Sequence, residues 1–329
     1  MKKSLFALTA VCALALGGCS STSDDADTKD ATPITVGLTY IPDIQFAPMY
    51  VAVEKGYFTD EGLDVTLRHH GAQEALLGAL ESGDEDVVFA GGDEMMQGRS
   101  TGIDVVNWAT MYQQYPVTLI VPEDSDIQSP ADIKGKKIGL PGPYGENYFA
   151  MLAMLKKQGL SEEEAGIQYI GYTQAAALEA GEVDGIIGFA NSDTVSIETS
   201  GIPVRTIDMV DGGLPLVGVG LGSLSENLEK NKEAYQAMLR ALEKAVAFAQ
   251  ENPEETLDIT EKYVPALADK DARATAAKTL EKTLALYTGA EVFGSQNAET
   301  WEAMSAFEAE NGIVETQVPA AEAYVDLTK

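Results

Sequence analysis

The sequence predicts an α/β protein of two lobes, each a mostly parallel sheet flanked by helices, with a helical C-terminal tail. Three observations predict it. The chain runs to 329 residues, more than a single core usually serves. A strand-helix series occurs twice: Val36-Gly37-Leu38 and Ile138-Gly139-Leu140 each lead, after similar spacings, to helices expected to open at Gln73 and Gln174. Those helices close on Glu81-Ser82-Gly83 and Glu179-Ala180-Gly181, then Asp86 or Asp184 precedes another strand, which reads as two βαβαβ units. Beyond about Ser225 the pattern becomes purely helical.

Taken in order, the chain opens with Lys2 and Lys3 before an apolar run from Leu5 to Leu16 that closes on Gly17, Gly18 and Cys19. A basic start, a short apolar core and small closing residues describe an export signal over residues 1–18. The run falls short of the roughly 20 apolar residues of a permanent span. Leu16-Gly17-Gly18-Cys19 resembles the bacterial lipobox, which implies lipidation of Cys19 and anchoring to the outer face of the bacterial cell membrane by lipid alone. The only cysteines are Cys12 and Cys19, so no internal disulfide is expected after cleavage. Residues 19–32 are mostly Ser, Thr, Asp and Ala, a disordered tether with almost nothing apolar to bury.

Val87-Val88-Phe89 and Ile186-Ile187 are short apolar runs bounded by Gly and Asp, as expected of parallel strands buried on both faces. The segments 117–121 and 214–221 read as crossings between lobes, made pliable at the second by Gly218, Gly220 and Gly222. The lobes are then 33–117 plus 219–329, and 118–218. Two crossings permit hinge closure over a ligand. Past them, Ala237, Leu239, Leu242, Ala245, Val246 and Ala249 fall near helical spacing, Asn252-Pro253 stops that helix, and further helices are expected near 254–263, 270–287 and 297–310. This tail is expected to pack on the first lobe.

The formal charge is −30. Such a surface repels nucleic acid and anionic lipid. The acidic residues are spread in pairs and triplets such as Asp24-Asp25 and Glu162-Glu163-Glu164, which reads as a solvated face of a monomer.

Tyr40-Ile41-Pro42-Asp43, Phe46 to Ala52, Glu54-Lys55-Gly56-Tyr57-Phe58 and Glu61-Gly62-Leu63-Asp64-Val65 resemble the opening of solute-binding proteins related to thiamine-pyrimidine synthesis proteins, a superfamily shared with alkanesulfonate, nitrate and taurine binders. The resemblance spans about residues 33 to 250. It implies the type II periplasmic-binding fold, a small-molecule ligand between the lobes and a partner permease of an ABC importer. The segments Pro42 to Pro48 and Gly142 to Asn147 are most similar to members proposed to import riboflavin or a thiamine pyrimidine precursor, which implies vitamin uptake.

Open α/β sheets bind ligands beyond the carboxyl ends of their strands, and the loops there supply the candidate residues. Pro48 belongs in the first turn of a helix, which leaves Asp43, Gln45 and Phe46 in the loop before it. Asp43 has the alternative of capping that turn and Phe46 of joining the core. In Arg68-His69-His70-Gly71 neighbouring histidines point to opposite faces of a strand, so at most one of them, taken as His70, is expected to enter the cleft. They make a poor chelating pair, and no metal is expected. Gly91-Gly92-Asp93-Glu94 lets bare backbone approach a ligand at Gly92, with Asp93 and Glu94 at a helix start, where Asp93 caps or binds. Pro141 to Tyr148 brings Tyr144, Glu146, Asn147 and Tyr148 ahead of a helix ending at Gly159; no Gly-Lys-Ser/Thr follows, so it is no nucleotide phosphate loop. In the loop Phe189 to Asp193, Phe189 offers an aromatic face and Asn191 an amide, with Asp193 ambiguous between cap and site.

These loops contain only Arg68 as a fixed cation. Acidic and aromatic groups favour an aromatic heterocycle, stacked on tyrosine and read at its edge by Glu and Asn, over a sulfonate or nitrate that would call for Arg, Lys or several helix N-termini. Helix N-termini alone could still bind an anion. Neither a cofactor nor an enzymatic activity is expected: the pyrimidine-making relatives are expected inside cells and carry a cysteine-containing motif that residues 20–329 lack.

Overall fold

The computed structural model describes residues 31–71 and 74–329, in which Ala31–Lys329 is one compact body. The expected export signal, Cys19 and all but the end of the expected tether lie outside the described residues, as does Gln73. Thr32, assigned to the tether, already stands in a strand.

Among the described residues, ten strands form two five-stranded sheets. They are β1 Thr32–Leu38, β2 Leu63–His69, β3 Val87–Gly91, β4 Val105–Thr110, β5 Val117–Pro122, β6 Ile138–Leu140, β7 Ile167–Tyr169, β8 Gly185–Phe189, β9 Val204–Ile207 and β10 Val219–Leu224. The first sheet has the order β2-β1-β3-β10-β4 and the second β7-β6-β8-β5-β9. The repeat read from the sequence is therefore real: β1, β2, β3 and β6, β7, β8 make the same parallel triplet, with Val36 beside Val87 and Ile138 beside Gly185.

The sheets are mostly parallel, as expected, and each is mixed, with four strands running one way. In each, one strand runs antiparallel to both of its neighbours: β10 between β3 and β4, and β5 between β8 and β9. The first segment expected to be a crossing, 117–121, is strand β5 itself, with the chain passing between the sheets just before it at 111–116; of the second, 214–218 lies in the returning passage, 208–218, and 219–221 in β10. The glycines of the second segment admit close packing: a Cβ on Gly220 would lie 2.4 Å from the Ala109 carbonyl oxygen, and one on Gly222 2.4 Å from Met95 Sδ.

The helix expected to open at Gln73 begins at Gly78, after turn residues that include Leu76 and Leu77. Its counterpart does open at Gln174. The helix ending at Gly159 starts at Gly145, so Glu146, Asn147 and Tyr148 sit in its first turn rather than in a loop before it. Gly159 closes it with φ of 65°, a left-handed position where a side chain costs about 1 kcal/mol.

Each sheet buries its own apolar cluster. Against the first sheet, Trp108 stacks on Tyr235 of helix Ser225–Glu251 at 4.9 Å between ring centroids. The C-terminal region divides its packing. Helix Ser225–Glu251 covers the first sheet, while Trp301, Met304 and Phe307 of helix Ala298–Glu310 join the cluster of β5, β6 and helix Gly145–Gln158. Fully burying a side chain of this size is worth about 1.5 to 3 kcal/mol.

Candidate functional site

The loops at the carboxyl ends of the strands meet between the two sheets. Leu38 of β1 leads into Tyr40 and a short 3-10 turn, Ile44–Phe46, capped by Asp43, whose Oδ1 accepts the Gln45 amide at 3.0 Å. Phe46 is buried and meets Phe89 of β3 edge-on at 6.0 Å and His69 at 5.4 Å. That row of rings continues through Tyr112 to Tyr287, at 6.0 and 5.2 Å.

Helix Gly92–Ser100 starts directly after β3. Gly92 donates its amide toward the carbonyls of Val217 and Gly218, and a Cβ there would lie 2.7 Å from Val217 Cγ1, so glycine admits the returning chain. Glu94 reaches back to accept the Gly91 amide at 3.1 Å, and Asp93 Oδ1 accepts the Glu94 amide at 2.8 Å. Acidic groups suit a helix start, where amide protons are unpaired.

Glu146 arrives from the other sheet at the start of helix Gly145–Gln158. A Cβ on Gly91 would stand 2.3 Å from Asp93 Oδ1, 3.2 Å from Glu94 Oε2 and 3.2 Å from Glu146 Cγ. Three acidic side chains thus surround one point over bare glycine. Tyr115, on the first passage between sheets, donates to Asp93 Oδ2 at 2.6 Å, with the Glu146 carbonyl oxygen 3.2 Å away.

Burial and mutual repulsion push these carboxyls upward. Asp93 rises to about 8, first from burial and then from the charge of Glu94, partly offset by Tyr115. Glu146 is pushed well above the carboxylate range by burial, then by Asp93 and Glu94, and burial raises Glu94 as well. Glu308, on helix Ala298–Glu310, has no exposed surface and is raised to about 10 by burial and by Asp93. Among the described residues none of these four carboxyls has a salt-bridge partner.

Other expected residues fall into distinct places. Asn191 is buried and donates to Gln45 Oε1 and to Thr283 Oγ1, both at 2.9 Å, linking the β8 loop to the first sheet's loop and to helix Lys270–Leu286. Phe189 packs on the second cluster, and its amide donates to Asp193 Oδ2 at 2.8 Å. Tyr144 is exposed at the rim near Tyr172, which meets Tyr40 edge-on at 6.3 Å. Tyr148, in contrast, turns to Glu162, 3.2 Å from its hydroxyl.

His70 is held within the first sheet's edge, its Nε2 2.9 Å from Glu85 Oε1. With Glu74 these residues bring potential ligand atoms within 4.8 Å of one another. Arg68 already supplies positive charge there, bonding Glu74 at 2.6 Å and Glu85 at 2.7 Å. The lone cation of the loops is thus engaged away from the three carboxyls. His69 contacts the Tyr50 hydroxyl at 3.0 Å and the Tyr40 carbonyl at 2.9 Å.

Sequence reasoning missed Tyr40, Tyr112, Tyr115, Tyr172, Thr283 and Glu308. Glu308 did carry a signal, since Trp301, Met304, Ser305 and Glu308 recur at helical spacing on one buried face.

Residues 43–256 match the family described as NMT1/THI5 like. The chain is 32% identical over 234 residues to the riboflavin-binding protein RibY of Chloroflexus aurantiacus, covering 70% of this chain and 66% of that one. It is 25% identical over 323 residues to a formylaminopyrimidine-binding protein of Halalkalibacterium halodurans, covering 96% of each. Among solved structures, the periplasmic aliphatic sulphonate binding protein SsuA of Escherichia coli superposes with a TM-score of 0.72 at 18% identity, over 89% of this chain and 97% of that one. Repeated triplets, a returning antiparallel strand in each sheet and acidic loops meeting between the sheets accompany this match, and the chain belongs to the NMT1/THI5-like family on a periplasmic-binding fold.

Proposed function

We propose that this protein is an exported, lipid-anchored solute-binding component of an ABC importer that holds an aromatic heterocycle between its two sheets. The observation that carries the ligand class is the placement of Asp93, Glu94 and Glu146 around the bare Cα of Gly91. Ionised carboxylates accept from N–H edges and oppose sulfonate or nitrate. Tyr40, Tyr144 and Tyr172 at the rim offer ring faces for stacking, and Gln45 and Asn191 offer amides from opposite sheets. RibY and the formylaminopyrimidine-binding protein bear the names of such heterocycles.

Binding without turnover is the reading the side chains favour. The two histidines are engaged with Tyr50, Tyr40 and Glu85 rather than with the central carboxyls. The sheets are joined by two passages, at 111–116 and 208–218, which suits closure on a ligand.

Calorimetric titration of riboflavin, thiamine, its formylated aminopyrimidine precursor, taurine and an alkanesulfonate against the purified protein tests this. Saturable binding of a heterocycle and none of the sulfonates is expected. Tight binding of a sulfonate with no heterocycle response would overturn the ligand class. Small-angle scattering with the bound heterocycle should give a smaller radius of gyration than without it.

A further inference from the structure

The edge of the first sheet carries a separate group of polar side chains, and its construction begins in the strand register. Gly37 of β1 stands directly beside Arg68 of β2. The side chain missing there leaves a slot: a Cβ on Gly37 would lie 2.0 Å from Glu85 Oε2 and 2.5 Å from Glu85 Oε1. Glu85, just before β3, fills that slot with its side chain wholly buried. His70 follows Arg68 by two residues and so shares its face of the extended chain, and the His70 amide donates to the Leu38 carbonyl oxygen at 2.9 Å. The chain then turns at Gly71, whose amide donates to Glu74 Oε2 at 3.3 Å, and this brings a second carboxylate back over the strand.

The donors gathered here are of the kinds that hold a first-row divalent ion. His70 offers an imidazole nitrogen, Glu74 and Glu85 offer carboxylate oxygens, and one atom from each lies within 4.8 Å of the others. Among the described residues no other three His, Cys, Asp or Glu side chains converge in this way. A tetrahedral zinc holds its ligand atoms about 3.3 Å apart, so small side-chain rotations bring these three to it. Charge points the same way. Two carboxylates share one guanidinium, since Arg68 pairs with Glu74 at 2.6 Å and with Glu85 at 2.7 Å. Glu85 Oε2 is buried and, among the described residues, has no hydrogen-bond partner, a state that a donor or a cation relieves. The side chains of Arg68 and Glu74 are 36% and 25% exposed, which opens a path from solvent to the buried His70 and Glu85.

We propose that His70, Glu74 and Glu85 form a binding site for a divalent ion of the zinc class, with a water completing the tetrahedron. The ion enters as the Arg68 guanidinium swings out, so the site exchanges a single positive charge for a double one. Coordination uses the His70 Nε2 lone pair, and the binding tautomer carries its proton on Nδ1. His69 takes no part, since it faces Tyr50. Calcium and magnesium suit the site less well, because they take oxygen ligands and would leave the imidazole unused. The bound ion clamps the turn after β2 onto β1 and the start of β3. It lies apart from Asp93, Glu94 and Glu146, and the proposal does not depend on which solute those residues meet.

Equilibrium dialysis of the EDTA-treated full-length protein against zinc chloride, together with visible absorption spectra of its cobalt(II) form, tests the site. One tightly held zinc per chain is expected, with cobalt bands more intense than those of the hydrated ion, as tetrahedral coordination produces. His70→Ala should weaken zinc binding at least roughly 10- to 100-fold, the scale lost when even an outer partner of a metal is removed. Arg68→Gln keeps all three ligands and removes the competing cation, so it should tighten zinc binding about 2- to 30-fold. A circular dichroism spectrum matching the wild type shows that each variant is folded. Zinc scattered over the 52 Asp and Glu residues would bind wild type and His70→Ala equally, and that result would overturn the proposal. So would a cobalt spectrum identical to that of the hydrated ion, or zinc binding weakened by Arg68→Gln.

Discussion

The Tyr115 hydroxyl lies 2.6 Å from Asp93 Oδ2, so a residue on the passage between the sheets holds a carboxyl at the head of a first-sheet helix. The same hydroxyl is 3.2 Å from the Glu146 carbonyl oxygen. One phenol therefore fixes the spacing of the acidic groups that face each other across the site.

Tyr115→Phe removes this donor while keeping the ring. Asp93 loses the contact that offsets its burial, and its carboxyl should rise further. A lost bond to a charged or shared-proton group costs about 1 to 2 kcal/mol, roughly a 5- to 30-fold loss of heterocycle affinity. Calorimetric titration of wild type and variant checks it; equal affinities would mean that Tyr115 does not order the site.

Glu308 makes stability depend on pH. Its carboxyl is raised from the ordinary 4.5 to about 10, so the folded state keeps a proton that the unfolded chain gives up. Stability is fully present below 4.5 and is lost as pH rises toward the folded value. Glu308→Gln should remove that loss, gaining on the order of 4 kcal/mol relative to wild type between about pH 5 and pH 8. Urea unfolding at the two pH values is the measurement. A parallel pH dependence in wild type and variant would place the proton elsewhere.

The two tyrosines of the Gly145 helix region should behave differently. Tyr144 is 54% exposed at the rim, whereas Tyr148 faces Glu162. Losing a stacked ring costs about 1 to 3 kcal/mol in base-aromatic systems, so Tyr144→Ala should weaken heterocycle binding roughly 5- to 150-fold. Tyr148→Ala should leave affinity within about threefold, as expected when only a surface contact is lost. Titration of both variants separates these outcomes, and the reverse order would move the stacking face to Tyr148.

Cys19→Ala should release the expressed protein from the membrane fraction, with the lipid mass absent from the variant and present in wild type. Fractionation with mass spectrometry of the N-terminal peptide checks it. Retention of the variant in membranes, together with no lipid on Cys19, would remove the anchor.

Much of this organisation was readable from local pattern. The parallel triplets are written as short apolar runs bounded by Gly and Asp, with matching spacing in both halves, because buried parallel strands leave a continuous apolar signature. Asp93, Glu94 and Glu146 were readable as candidates because a residue just past a strand, at a helix start, has few other places to point. The antiparallel insertions of β5 and β10 were not, since strand direction depends on a partner distant in sequence. Tyr115 and Glu308 were missed for the same reason: their roles come from passages and helices that meet the site only after folding. The early placement of the helix at Gln73 followed a repeat spacing, while the turn through Leu76 and Leu77 delays its start to Gly78.

The return of β10 between β3 and β4 also bears on the order in which the chain can fold. β4 reaches β3 only through β10, so the first sheet has an incomplete interior until the chain through residue 224 is available. All strands of the second sheet lie between residues 117 and 207, and that sheet can close while the first still waits. An unfilled strand position is an edge open to wrong partners. Synthesis therefore leaves the N-terminal sheet exposed longest, and a chain stalled before Val219 should be more prone to aggregate than one stalled past Leu224.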